Sequence, residues 1–309
     1  MKAEAVGAIP ATAEAGPRSN TLAVVGSLLA LYLIWGSTYL AIRFALAGFS
    51  PFLMAGLRFV LAGVPMYAFL RLRGAPNPTR TQWGGAALAG SLLLVGGNGG
   101  VVFAEQWVAS GLAALGVATM PLWAALFAGL WGQWPSRREW IGIGLGLVGV
   151  ALLNLNSDLR GNSWGAIFLL GAPICWALGS VWSRRLPLPP GAMSSAAEMV
   201  VGGVVLLGIA ALTGERLPAT LPGIRPLGAL IYLAVFGSII AFSAYGYLLR
   251  HVRPTVATSY AYANPVVAVA LGAALAGEPI TPLTLAAMAV ILAAVALVTL
   301  KPADAKTAA

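Results

Sequence analysis

Apolar residues along this chain fall in ten long runs separated by short polar breaks. The runs are Leu22 to Ile42, Phe52 to Leu70, Trp83 to Ala104, Leu112 to Trp131, Trp140 to Leu155, Trp164 to Trp182, Ala192 to Leu212, Leu227 to Leu249, Val256 to Ala276 and Leu283 to Leu300. Each holds roughly 17 to 23 residues, the length a helix needs to cross about 30 Å of hydrocarbon at about 1.5 Å per residue. The pattern predicts an all-α integral membrane protein with ten transmembrane helices. Residues 1–20 are expected to form a disordered cytoplasmic tail, and residues 301–309 a short second one. No stretch remains among the 309 residues for a soluble catalytic domain.

The runs also repeat. An offset of 144 residues carries Pro121 onto Pro265 and Pro135 onto Pro279, each pair followed by a long apolar stretch. The same offset carries Trp107-Val108 onto His251-Val252, Gly84 onto Gly228, and Leu112–Met120 onto Val256–Asn264 without a gap. Trp35 precedes Arg43 by the same interval as Trp176 precedes Arg184. Self-similarity at this scale predicts two structural copies, residues 21–155 and 162–300, of five helices each. Because five is odd, the second copy enters the membrane from the opposite side, so the repeats are inverted. Inverted repeats related by an axis in the membrane plane recur in secondary transporters, where the site lies between the halves near the midplane.

Composition agrees: 59% of residues are apolar and 9% charged, with mean hydropathy +0.87, whereas soluble domains carry about 25% charge. The net charge of +9 would suit nucleic acid only as a basic patch on a folded soluble face. Here the charges lie between the runs. With the amino terminus in the cytoplasm, thirteen of the eighteen basic residues fall on that side; Arg43, Arg160, Arg216 and Arg225 fall on the other, and Arg58 lies within a run. That asymmetry predicts both termini in the cytoplasm and no nucleic-acid partner.

Several features are set aside on physical grounds. Ala45-Leu46-Ala47 resembles a signal-peptide cleavage site, but the first run is too long for a signal core and its loss would break the repeat. One cysteine, Cys175, excludes an intramolecular disulfide, and one histidine, His251, placed at a helix end, leaves no metal-ligand cluster. No cofactor is expected. Gly144-Leu-Gly146-Leu-Val-Gly149 matches a dinucleotide fingerprint but follows no strand; Gly142, Gly146 and Gly149 at helical spacing instead let another helix approach closely. No phosphate-binding loop of the Gly-x-x-x-x-Gly-Lys-Ser/Thr type occurs, so energy would come from gradients.

Polar residues within the runs carry the functional signal, because an ionisable group in hydrocarbon is costly and usually faces a cavity or a partner. Arg58 and Glu198 each lie about six residues into their runs, at near-equivalent places in the two copies, and could line the access path. Glu198 is a candidate proton carrier; the alternatives are that Arg58 reaches the interface and that Glu198 pairs with Arg184, Arg185 or a helix end. Trp35 and Tyr39 in the first run, Asn98 among Gly96, Gly97, Gly99 and Gly100 in the third, and Tyr260, Tyr262 and Asn264 before Pro265 in the ninth are candidate cavity residues. Glu105 and Glu278 end their runs on the outer side, where contact with water is expected.

The segments Leu31–Tyr39, Met54–Phe59, Gly237–Ile240 and Ala257–Val267 resemble the EamA family of the drug/metabolite transporter superfamily, over about Leu22 to Leu300. The resemblance implies a ten-helix inner-membrane exporter with a central cavity. Its members move amino acids, other metabolites or drugs, some by proton exchange. A Gly-Glu pair that tends to follow the ninth helix stands here as Gly277-Glu278, while the first copy has Gln133-Trp134. The combined expectation is a permease exporting small amphipathic solutes by alternating access, as a monomer or homodimer in the lipid bilayer. Cationic drug efflux is the runner-up; an intramembrane enzyme and a non-transporting membrane protein are remote alternatives.

Overall fold

The structure is a computed structural model and describes residues 21–106, 117–153, 163–276 and 280–300. The tails at 1–20 and 301–309, Trp107-Val108 and Gly277-Glu278 lie outside the described residues. Helices follow the apolar runs: α1 (Thr21–Leu46), α2 (Pro51–Leu72), α3 (Arg80–Ala104), α4 (Met120–Leu130), α5 (Arg137–Leu153), α6 (Ser163–Trp182), α7 (Ala192–Leu212), α8 (Ile224–His251), α9 (Tyr260–Ala276) and α10 (Pro282–Thr299). Among the described residues, α1, α2, α3, α7, α8 and α10 are long and apolar enough to cross a membrane. Their exposed surfaces are apolar, with Leu29, Leu33, Phe69, Leu88, Val204 and Leu292 facing outward. Such surfaces are stable only against hydrocarbon.

The helices depart from the expected runs in three places. The ninth run divides: a single turn, Pro254–Ala257, precedes α9. At the break the Thr258 hydroxyl donates to the Pro254 carbonyl (2.8 Å) and the Ser259 hydroxyl to the Val256 carbonyl (2.7 Å), so side chains compete with the helical ladder. The middles of α3 and α8 widen into π-helix, at Ser91–Gly99 and Leu233–Ile240. In α8 the Ser238 hydroxyl donates to the Leu233 carbonyl (3.0 Å). The glycines of α3 admit neighbouring side chains at this stretch: a Cβ at Gly96, Gly97 or Gly99 would meet Cys175, Trp176 or Leu206 within 3 Å. The two segments begin at residues 91 and 233, so they fall at nearly the repeat offset.

Packing follows the repeat. α2 lies along α7, and α5 along α10; α1 packs on α8 and α9, as α6 packs on α3 and α4. Replacing each helix by the one five places on, or five back, reproduces these pairings. Small residues set the closest approaches. A Cβ at Gly63 would meet the Val200 backbone nitrogen at 2.8 Å, and one at Gly203 the Val60 nitrogen at 2.9 Å, in the α2–α7 pair. In the α5–α10 pair, Gly142 faces Val298 and Gly149 faces Ile291, while Gly146 lies under the Tyr262 ring. The glycine motif of α5 is therefore a packing surface, as its spacing predicts.

Contacts between loops close both ends of the bundle. At the arginine-rich end, Glu139 in the first turn of α5 accepts from Thr255 (2.5 Å), pairs with Arg253 (3.1 Å) and caps its own helix through the Ser136 N–H (2.7 Å). Arg253 also donates to the Trp134 carbonyl (2.8 Å), and Arg184 to the Val252 carbonyl. Burial pushes the Glu139 carboxyl up, but the Thr255 and Ser136 hydrogen bonds and the Arg253 charge outweigh it and hold the group below the usual carboxylate range. At the opposite end, Glu215 after α7 accepts from the Phe52 and Leu53 N–H groups (3.3 and 2.8 Å). This carboxylate caps α2, whose own N-cap Ser50 makes no side-chain cap bond.

Candidate functional site

Midway along the bundle, Trp35, Trp176, Tyr245 and Tyr260 form a box of rings. Trp35 stands edge-on to Trp176 (5.5 Å between centroids) and to Tyr260 (4.6 Å), and lies 5.3 Å from Tyr245; Tyr245 meets Tyr260 edge-on at 5.6 Å. Phe242 closes one side, 6.5 Å from Trp176. Polar atoms of the box are bonded internally. The Trp176 Nε1–H donates to the Tyr245 hydroxyl (3.1 Å), which also meets the Ser180 hydroxyl (2.5 Å), and the Trp35 Nε1–H donates to the Gly237 carbonyl (2.9 Å). The Gly237 carbonyl lies in the π-helical stretch of α8 and also accepts from Arg58 Nη2 (3.1 Å), while Arg58 Nε donates to the Ser238 hydroxyl (2.8 Å).

The box separates two chambers. On one side lies a central cavity of about 70 Å³ lined by Trp35, Tyr39, Arg58, Asn98, Trp176, Tyr260 and Asn264, among others. On the other, toward the arginine-rich end, lies a vestibule of about 240 Å³ lined by Tyr245, Glu198, Ser194, Arg184 and Arg250. Phe242 borders both. A wider recess of about 530 Å³ beyond the vestibule shares Arg184 and Arg250 with it.

Five of the six expected cavity residues thus meet: Trp35, Tyr39, Asn98, Tyr260 and Asn264. Tyr262 does not line the cavity. On a helix of about 100° per residue it points away from the face shared by Tyr260 and Asn264. It is fully buried against Gly146, and its hydroxyl donates to the Ile143 carbonyl (3.4 Å). Glycines around Asn98 serve both expected roles: Gly97 lines the cavity, and a Cβ there would meet the Trp176 ring at 2.6 Å. Gly96 lies against Cys175, where a Cβ would come within 2.9 Å of the sulfur.

Arg58 and Glu198 each line a chamber, as the access-path reading expects, whereas Glu105 differs from its expectation. Arg58 does not reach the interface; it is 2% exposed and lines the central cavity. Glu198 is 5% exposed, accepts from the Ser194 hydroxyl (2.8 Å), and lies within electrostatic reach of Arg250 on α8, not of Arg185. Glu105 is half-buried and not fully in water: its Oε1 is enclosed, and it lies within electrostatic reach of Arg58 and Tyr39. It stands one turn beyond Val101, a cavity residue on the same helix, its N–H bonding the Val101 carbonyl (2.9 Å). That spacing was the signal for Glu105; its place near the end of an apolar run pointed the other way.

The cavity holds polar atoms that no protein group satisfies. Arg58 Nη1, Asn98 Oδ1 and Asn264 Oδ1 are buried without hydrogen-bond partners, as is Glu105 Oε1 at the rim. Buried polar atoms are normally paired, so a cluster of four marks a place where a solute or water completes the bonding. Among the described residues no group of His, Cys, Asp and Glu could hold a metal ion.

A model of the EamA-like transporter family matches residues 22–155 and 163–300. An Escherichia coli K12 protein named uncharacterized inner membrane transporter YedA is 50% identical over 280 residues, covering 90% of this chain and 91% of that protein. A chloroplastic WAT1-related protein of Arabidopsis thaliana is 28% identical over 287 residues, covering 88% of this chain and 68% of its own length. A solved crystal structure at 20% identity shares the fold, with a TM-score of 0.75 over 90% of this chain and 96% of that one.

Proposed function

Because the chain belongs to the EamA-like transporter family and is a multi-pass transporter of the inner membrane, we propose that it exports small amphipathic metabolites, amino acids among them, by alternating access through the central cavity. The observation that carries this is the aromatic cavity with its cluster of unsatisfied polar atoms. Rings suit the apolar part of a solute, and the amide and guanidinium groups its polar part. At about 70 Å³ the cavity has room for roughly five water-sized spheres, so the helices around it must separate to admit a solute. The aromatic box is the barrier that closes the path toward the vestibule.

The proposed arrangement is ten membrane spans in two inverted five-helix halves, residues 21–155 and 162–300, with both termini in the cytoplasm. The exchange of helix pairings between halves and the matched π-helical stretches of α3 and α8 support it. Export is then movement from the arginine-rich end to the opposite one. Protons are the proposed coupling ion, with Glu198 as their carrier. Cationic drug efflux would need an uncompensated carboxylate in the aromatic cavity; Glu198 lies in the other chamber, and Glu105 at the rim stands within electrostatic reach of the Arg58 cation.

Uptake of labelled amino acids and other metabolites into proteoliposomes, with and without an imposed pH gradient, tests this function in the intact protein and in Glu198→Gln. Accumulation that requires the gradient and is lost in Glu198→Gln is expected. Accumulation indifferent to both would remove proton coupling, and no uptake of any solute would overturn the export of amphipathic metabolites.

A further inference from the structure

At the arginine-rich end the two halves meet around the recess of about 530 Å³. Arg184, which follows α6, lines it together with Arg250 and His251 at the end of α8, Arg253 just beyond, and Gly132 and Trp134 between α4 and α5. Three guanidinium groups and an imidazole thus line one space, and no acid is among its described lining residues. Two nearby acids are committed elsewhere. Glu139 is taken up by Thr255, Ser136 and Arg253, and Glu198 lines the vestibule but not the recess.

Of the three arginines, Arg253 alone has a carboxylate within ion-pair distance among the described residues, Glu139 at 3.1 Å. The other bonds these side chains make are to neutral backbone: Arg253 donates to the Trp134 carbonyl (2.8 Å) and Arg184 Nη2 to the Val252 carbonyl. Arg184 Nε is buried without a partner, while Arg250 and Arg253 are exposed. His251 is fixed by its Nδ1, which bonds the Tyr247 carbonyl (2.8 Å), and by stacking on the Tyr247 ring at 4.0 Å. Basic residues are general on the cytoplasmic side of a membrane, but that rule spreads them over loops and does not gather three around one recess. The repeat shows that the framework does not need them: at the offset of 144, Arg250 and Arg253 fall on Gln106 and Ala109, both uncharged.

We propose that this recess is a phosphate site filled by the headgroup of an anionic membrane phospholipid. A phosphate group offers more oxygens than a carboxylate, so guanidinium forks from separate segments can share it. Trp134 favours a lipid as the source. Its exposed ring rests on Gly129 of α4, where a Cβ would lie 2.6 Å from it, at the edge of the recess, and a ring so placed belongs at headgroup level. Basic pockets at the ends of spans hold anionic headgroups. The surplus of positive charge disfavours a choline headgroup, whose ammonium would meet the arginines. Bound there, the phosphate ties three segments of the second half, after α6, at the end of α8 and just beyond it, against the Gly132–Trp134 loop of the first.

The test is the thermal unfolding midpoint of the intact protein in a neutral detergent, with phosphatidylglycerol, phosphatidylcholine, oleate or inorganic phosphate added in turn, and lipid retention read by native mass spectrometry. Phosphatidylglycerol is expected to raise the midpoint saturably, at concentrations about tenfold or more below those phosphatidylcholine needs, because a ligand of the folded chain stabilises it and one charged hydrogen bond sets that scale. Arg184→Gln with Arg250→Gln should abolish the preference. Arg80→Gln with Arg137→Gln removes two exposed charges of the same end that do not line the recess, and should keep it. Equal protection by phosphatidylcholine or oleate overturns an anionic phosphate site. Protection by inorganic phosphate that phosphatidylglycerol does not exceed overturns the lipid as its source. A preference that survives Arg184→Gln with Arg250→Gln, or that is lost equally in both double variants, overturns the recess as the place. The comparison of lipids in the intact protein decides the chemistry even if the first double variant fails to fold, and Arg250→Gln alone, at an exposed position, then decides the place by its loss of retained phosphatidylglycerol.

Discussion

The Tyr245 hydroxyl fastens one side of the box, taking the Trp176 N–H and meeting Ser180. Tyr245→Phe keeps the ring but leaves a buried indole N–H without an acceptor, which costs about 1–3 kcal/mol. A lowered unfolding midpoint and altered tryptophan emission are expected; an unchanged midpoint would show that Trp176 finds another acceptor. Gly97→Ala places a methyl 2.6 Å from the Trp176 ring in a packed interior, where overpacking costs about 1–3 kcal/mol. Reduced uptake with retained membrane yield is the expected outcome, measured beside the intact protein. At this scale the sequence was informative where a residue type was out of place. Trp35 sits too deep in its run for an interfacial belt, Tyr260 and Asn264 precede a proline within an apolar run, and Arg58 is a charge in another. It misled where chemistry was read without direction, as with Tyr262, or where a run's end was equated with full exposure, as with the half-buried Glu105.

Helices supply what single residues cannot, the close approach of backbones and a widened turn. The α5–α10 pair meets through Gly149, where a Cβ would lie 2.6 Å from the Ile291 side chain and 3.1 Å from its backbone nitrogen. Gly149→Val should therefore reduce the yield of monodisperse protein in size-exclusion chromatography more than Gly144→Val, since nothing lies within 4 Å of a Cβ at Gly144. Equal yields would show that α10 moves aside. At the arginine-rich end, Glu139 titrates below the ordinary carboxylate value in the folded chain. The unfolded chain then binds the proton first as pH falls, so the stabilisation is complete above about pH 4.3 and is lost as pH drops through the lower folded value. Unfolding midpoints recorded from pH 7 downward should fall more steeply in the intact protein than in Glu139→Gln; parallel curves would deny Glu139 that role. Apolar runs predicted where these helices lie, because hydropathy reports burial in lipid. They could not predict the π-helical stretches of α3 and α8, which depend on neighbouring helices accepting a wider turn.

For the molecule as a whole, the repeat was the most legible feature, since equal spacings in sequence reappear as equivalent helix pairings. What the spacing could not show is which residues from the two halves face each other. Arg58 meets Gly237 and Ser238 across 179 and 180 positions of chain, and no local pattern encodes such a distance. Reporter fusions at both ends are expected to read cytoplasmic; opposite readings for the two would exclude an even number of crossings. The chain contains a single cysteine, and it lies beside the box, pressed on Gly96 where α3 and α6 meet. Its neighbour in sequence, Trp176, is part of the barrier. The thiol is half-buried and gains room when those two helices part, so a change in the rate of alkylation becomes a native clock for opening. The protein can be timed without first being stripped of its sulfhydryl groups.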